Sequence, residues 1–129
     1  MNEPEVDNQN YSTPPDFPRA DIAGAVSGIQ PKILLTEYKG RLYPSGDTPP
    51  ERYQRWFMCE DLAQHLCVKS RESKAGKRSH MTEGEILDQY LERMLKQPDW
   101  GSPREMQWTI RRAAVLLGWP HPISADESS

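Results

Sequence analysis

Three stretches of the chain repeat apolar residues at helical spacing, and each opens with the same kind of start signal. Thr48-Pro49-Pro50-Glu51 begins the first. Thr48 supplies a cap, Pro49 takes the first helical position where a missing N–H costs nothing, and Glu51 closes a capping box. Tyr53, Trp56, Phe57, Leu62, Ala63, Leu66 and Val68 follow, which predicts a helix over 48–70 that reaches Ala75 if Gly76 is its stop. Trp56, Phe57, Ala63 and Leu66 are its expected core face. Thr82-Glu83-Gly84-Glu85 opens the second helix, whose stripe is Ile86, Leu87, Tyr90, Leu91, Met94 and Leu95, with Pro98 beyond its end. Ser102-Pro103-Arg104-Glu105 opens the third. Met106, Ile110, Ala113, Ala114 and Leu117 face inward there, Gly118 is the C-terminal cap residue and Pro120 blocks continuation.

Ahead of the helices the signals change. Pro31 pushes Gln30 toward extended backbone, and Lys32 to Tyr38 reads as a strand. Lys39-Gly40 makes the turn, Arg41-Leu42-Tyr43 returns, and Pro44 with Ser45-Gly46-Asp47 ends the hairpin. A lone hairpin is marginal in water, so this one is expected to lean on the first helix. The fold class is therefore α+β: one β-hairpin packed on three helices, the last two forming a helical hairpin. Residues 20–120 make the single domain. Residues 1–19 are acidic, Asn-rich and broken by proline, a disordered or loosely docked arm in which Tyr11 and Phe17 are the docking points available. Residues 121–129 read as a flexible tail.

Composition narrows the class. Of 129 residues, 36% are hydrophobic and 27% charged, a modest supply for one core. No apolar run approaches the roughly 18 residues of a membrane span. Met1 is followed by Asn-Glu-Pro-Glu, with no basic-then-apolar leader, so a cytoplasmic location is expected. Cys59 and Cys67 fall in one predicted helix, ~12 Å apart and out of disulfide reach. They have neither the spacing nor the histidine partners of a zinc site, so no metal is expected.

Ser27-Gly28-Ile29-Gln30-Pro31-Lys32 leads into an apolar strand, and this order resembles the glycine-rich loop of HipA-like serine/threonine kinases. The resemblance continues through the hairpin at 37–43, the Pro44-Ser45-Gly46-Asp47 turn and Arg55 to Leu66, about a third of the chain. It implies that Gly28, Gln30 and Lys32 form a loop whose backbone approaches phosphate, glycine letting N–H groups close on an anion while lysine adds charge. Such kinases carry their ATP-pairing lysine on a strand after the hairpin, whereas Thr48-Pro49-Pro50 runs straight into a helix. Their catalytic and metal-binding aspartates lie in a large C-terminal lobe, which has no counterpart in 129 residues. Phosphoryl transfer needs those parts. No catalytic residues and no cofactor are assigned, and the loop is read as a phosphate or partner contact, or simply as the entry to the hairpin.

Two further groups stand out. Lys69, Arg71, Lys74, Lys77, Arg78 and His80 form a basic run that Arg111 and Arg112 would widen into a nucleic-acid patch if the helices met there. The run lacks interleaved aromatics, the net charge is −3, and positive residues also suit a helix C-terminus. Tyr53, Trp56, Trp100 and Trp119 serve either bundle packing or as anchors for a partner. The expected function is a small bacterial non-enzymatic protein that binds another protein, in the toxin–antitoxin or mobile-element setting the kinase resemblance implies. The alternatives are a DNA-binding regulator using the basic patch and a nucleotide- or phosphate-binding relic of the loop. No membrane contact is expected.

Overall fold

The computed structural model describes residues 11–20 and 34–126. Two short strands, β1 (Leu35–Tyr38) and β2 (Arg41–Pro44), precede three helices: α1 (Pro49–Ala75), α2 (Glu83–Leu95) and α3 (Pro103–Leu117). Single turns of 3₁₀ helix lie at Pro98–Trp100 and Ile123–Ala125. The α+β class holds, with a two-stranded antiparallel hairpin and three helices.

Each helix starts where its capping residues place it. Glu85 and Thr82 exchange bonds at 2.8 and 3.2 Å, and Glu105 and Ser102 at 2.9 and 3.1 Å, so backbone donors that helices leave orphaned are satisfied. At the start of α1, Glu51 accepts from both the N–H and the hydroxyl of Thr48, which holds its carboxyl below the usual range. Gly118 ends α3 with φ 72°, a left-handed conformation that suits glycine.

The core lies between the helices, and α1 and α3 share the largest interface. Cys59, Ala63, Leu66 and Cys67 of α1 meet Leu87, Leu91 and Met94 of α2 and Met106, Trp108, Ile110, Ala113 and Ala114 of α3. The inward stripe of α1 differs from the expected one, for Phe57 is exposed. It stands two residues before Cys59, about 200° round the helix, and so on the opposite side. Apolar residues on several sides of α1 hide its phase from the sequence. Trp108, not among the expected inward residues, is buried, while Leu95 remains partly exposed where the chain leaves α2.

The segments outside the helices depart from expectation in opposite directions. Phe17, 1% exposed, sits edge-on to Trp108 at 5.2 Å beneath the Arg52 guanidinium. Arg52 donates to the Thr13 hydroxyl and the Phe17 carbonyl, and Trp108 Nε1 donates to Asp16 at 3.1 Å. At the other end, Ala125 is buried and its carbonyl accepts from Arg111 at 2.7 Å, so residues 121–126 lie against α3 instead of trailing as a tail. The hairpin, by contrast, leaves Leu34, Leu35 and Leu42 exposed. It is tied to the body at its base, where Arg55 donates to the Gly46 carbonyl and to Asp47.

Candidate functional site

Gly28, Gln30 and Lys32 lie outside the described residues. The basic run lies within them, and the fold divides it. Lys74 donates to the Met81 carbonyl at 2.7 Å, while Arg78 donates to Gln89 and Ser73 and lies over the Tyr90 ring, so both hold the connection between α1 and α2. Lys69, Arg71 and Lys77 are exposed. Arg112 grips Glu60 through two nitrogens at 2.8 and 3.1 Å, and Arg111 is engaged with Ala125. The Glu60 pair lowers the carboxyl's pKa and raises that of Arg112. Half of the residues that would meet phosphates are thus already occupied with protein acceptors.

The four aromatic candidates also separate. Tyr53 packs between Tyr11, at 5.6 Å, and Trp56, at 5.3 Å, so both are half-buried in a row that continues the arm. The Trp56 indole N–H is buried without a partner. Trp119 packs on the core edge. Only Trp100 among the four projects, at 50% exposed.

Two hollows flank these residues. One, about 260 Å³, is lined by Trp56, Glu60, Trp108, Arg111, Arg112 and Val115 together with Pro14 and Asp16 of the arm. Its polar groups are already engaged, Glu60 with Arg112, Asp16 with the Trp108 indole N–H and Arg111 with the Ala125 carbonyl. The other, about 220 Å³, is lined by Met58, Cys59, Leu62, Asp99, Trp100 and Met106. Met58 at its lip is 62% exposed. This groove is apolar apart from Asp99, and two of its walls are methionines, whose unbranched chains adapt to different guests. Leu95, Pro98, Gly101, Ser102 and Pro103 line a further hollow on the same connection between α2 and α3.

Comparison with known protein families, curated proteins and solved structures gives no match. Burial pushes the Cys59 thiol up to about 11, which keeps it protonated and unreactive at neutral pH. His65, six residues on, is exposed and pairs with Asp61 at 3.5 Å, so the two do not form a nucleophile–base pair. Among the described residues, no three His, Cys, Asp or Glu side chains gather as metal ligands. No described helix is long and apolar enough to cross a membrane.

The Met58–Trp100 groove is only partly legible in the sequence. Trp100 is legible as an aromatic candidate and Met106 as an inward residue of α3, whereas Met58 stands on a face of α1 that the sequence pattern does not assign. The 3₁₀ turn after Pro98 is what swings Trp100 beside α1.

Proposed function

We propose that this protein is a non-enzymatic interaction module that binds another protein through the groove between α1 and the Pro98–Trp100 turn. The observation that carries this reading is the groove itself: Met58 and Trp100 stand more than half or half exposed around an apolar hollow large enough for one bulky side chain. Tryptophan at the edge of such a hollow is a typical hot spot, and an apolar residue entering it removes both surfaces from water. The accessory role in a toxin–antitoxin or mobile-element setting belongs to the same proposal and rests on the resemblance to HipA-like kinases. The engagement of Lys74, Arg78, Arg111 and Arg112 with protein acceptors favours protein over nucleic acid as the partner.

The test is affinity capture from the native host with wild type, Trp100→Ala and Met58→Glu in parallel, followed by titration of the captured protein in purified form. A partner held by wild type and weakened at least tenfold by either change is expected, as for a hot-spot loss of about 2 kcal/mol. A partner that binds all three equally, or recovery of nucleic acid alone, removes the reading.

A further inference from the structure

The hairpin carries a second surface, independent of the groove. Its two-residue turn has φ 50° at Lys39 and 78° at Gly40, the left-handed pair of a type I′ turn, which closes the ladder at Tyr38 and Arg41. Antiparallel ladders alternate between residues bonded to the neighbour and residues whose N–H and C=O point away. The Ser45 N–H to Leu34 carbonyl bond at 2.8 Å sets the phase: Leu34, Thr36 and Tyr38 bond inward. Leu35 and Glu37 therefore direct their N–H and C=O groups to the outer edge of β1, which is unpaired among the described residues. The outer edge of β2 is interrupted, because Pro44 has no N–H to offer. An extended backbone is what such an edge accepts, and β1 is the edge that offers it.

The residues of β1 say which backbone. Antiparallel pairing of a strand with itself about Thr36 sets Leu35 against the second copy's Glu37, and Leu34 against its Tyr38. Thr36 meets its own equivalent at the closer, non-bonded kind of position. Each of these pairings is favourable or neutral, with Thr–Thr and aliphatic–aromatic pairs among the stabilising ones. A shift that centres the pair on Glu37 instead opposes two carboxylates, which disfavours it. Leu34, 68% exposed, gains an aromatic neighbour in the Thr36 register, and Leu35 and Leu42, 53% and 66% exposed, become part of a four-stranded face.

We infer that this chain self-associates by antiparallel pairing of β1 with β1 of a second copy, in the register centred on Thr36. Four inter-chain backbone bonds join the Leu35 and Glu37 positions, and the hairpins become one four-stranded sheet. The interface is small and sits at the transient end of protein contacts, below about 1,200 Å².

Sedimentation of the full chain across a dilution series tests this, with Leu35→Lys and Leu35→Glu beside wild type and helical content checked by circular dichroism. The wild type shows a reversible monomer–dimer equilibrium. The lysine variant places a cation opposite the second copy's Glu37 and tightens association about tenfold, while the glutamate variant weakens it by a similar factor. Nonspecific stickiness of an exposed leucine predicts that both charges weaken it. Under oxidation, Thr36→Cys gives a disulfide-linked dimer, whereas Tyr38→Cys, which faces Leu34 in this register, does not. A chain that stays monomeric at every concentration, equal weakening by both charges, or equal cross-linking of the two cysteine variants would overturn the inference.

Discussion

Residues 11–20 contain neither strand nor helix, yet they place one aromatic ring wholly inside the molecule; the hairpin has a complete ladder and leaves its leucines more than half exposed. The difference separates two things that regular structure usually joins. A ladder satisfies backbone groups, but each such bond is worth only about 1 kcal/mol net because water offers the same bonds to the open chain. Burying a phenylalanine contributes about 1.5–3 kcal/mol. The arm has that burial and also has acceptors met by Arg52, which contacts Thr13, Pro14 and Phe17 from one guanidinium. Anchorage follows burial and side-chain bonding more than it follows secondary structure.

The sharpest way to break this comparison is to truncate one residue on each side. Phe17→Ala is expected to cost about 3–5 kcal/mol in urea unfolding, the usual range for emptying a buried aromatic site. Leu42→Ala, on the exposed hairpin face, stays within about 0.5 kcal/mol. Similar costs for the two would show that the arm is not held by its ring. The next effect lies where the two regions meet. Asp47, buried just past the hairpin, accepts from Arg55 at 2.7 Å and from the Ala20 N–H at 3.4 Å, and faces Arg19. Arg55 also reaches Glu105 at 2.7 Å. Burial alone would lower the Arg55 pKa, but bonds to Asp47 and Glu105 outweigh it and raise the value. Arg55→Met leaves two buried carboxylates without the cation they share and should cost about 2–3 kcal/mol, less than a fully enclosed pair because the guanidinium is partly open to water. Hydrogen exchange should then quicken at Gly46 and Asp47. Unchanged exchange there would mean that Arg55 does not tie the hairpin down.

What could be read beforehand divides along the same line. Helix starts are local events, written in Thr82 and Glu85 or Ser102 and Glu105 within four residues of each other, and all three appear where those residues place them. The docking of Phe17 needs Arg52 and Trp108, far along the chain, and no local pattern marks that meeting. Proline and asparagine in the first residues signal a chain with little apolar surface of its own to bury; they are silent on whether a preformed surface will hold it. The same reason hides the groove. Trp100 is conspicuous as a residue, whereas its position beside Met58 depends on how α1 and α3 pack. The turn of the hairpin is legible at Lys39-Gly40, but marginal stability alone names no residue pair that would seat its strands on α1, and Leu35 and Leu42 stay exposed.

A smaller change tests how the arm is oriented as distinct from how firmly it is held. Asp16 accepts the Trp108 indole N–H, so Asp16→Ala leaves a donor at the core edge without its partner. A loss of about 1–2 kcal/mol is expected, with a shift in tryptophan emission because the indole changes its bonding. If stability falls with no spectral change, the contact is not the one that matters.

The smallest effect is one of pH, and it belongs to the arm's side of the molecule. Glu60 shares the cleft wall with Pro14, Asp16, Trp56 and Trp108, and the Arg112 guanidinium holds its carboxyl below the usual range. A carboxyl whose pKa is lower folded than unfolded binds protons more readily in the unfolded chain, so folding stability rises with pH through that interval. The contribution is complete above the ordinary glutamate value near 4.5 and is lost as pH falls through the depressed folded value. Because Arg112 is more than a third exposed, water screens the pair and the contribution stays below about 1 kcal/mol. Urea midpoints followed by tryptophan fluorescence should therefore decline as pH falls below the ordinary glutamate value near 4.5, and Glu60→Gln should remove part of that slope while leaving the midpoint nearly unchanged once the carboxyl is protonated. Parallel curves for wild type and Glu60→Gln over the whole range would show that Arg112 does not favour the ionised carboxylate.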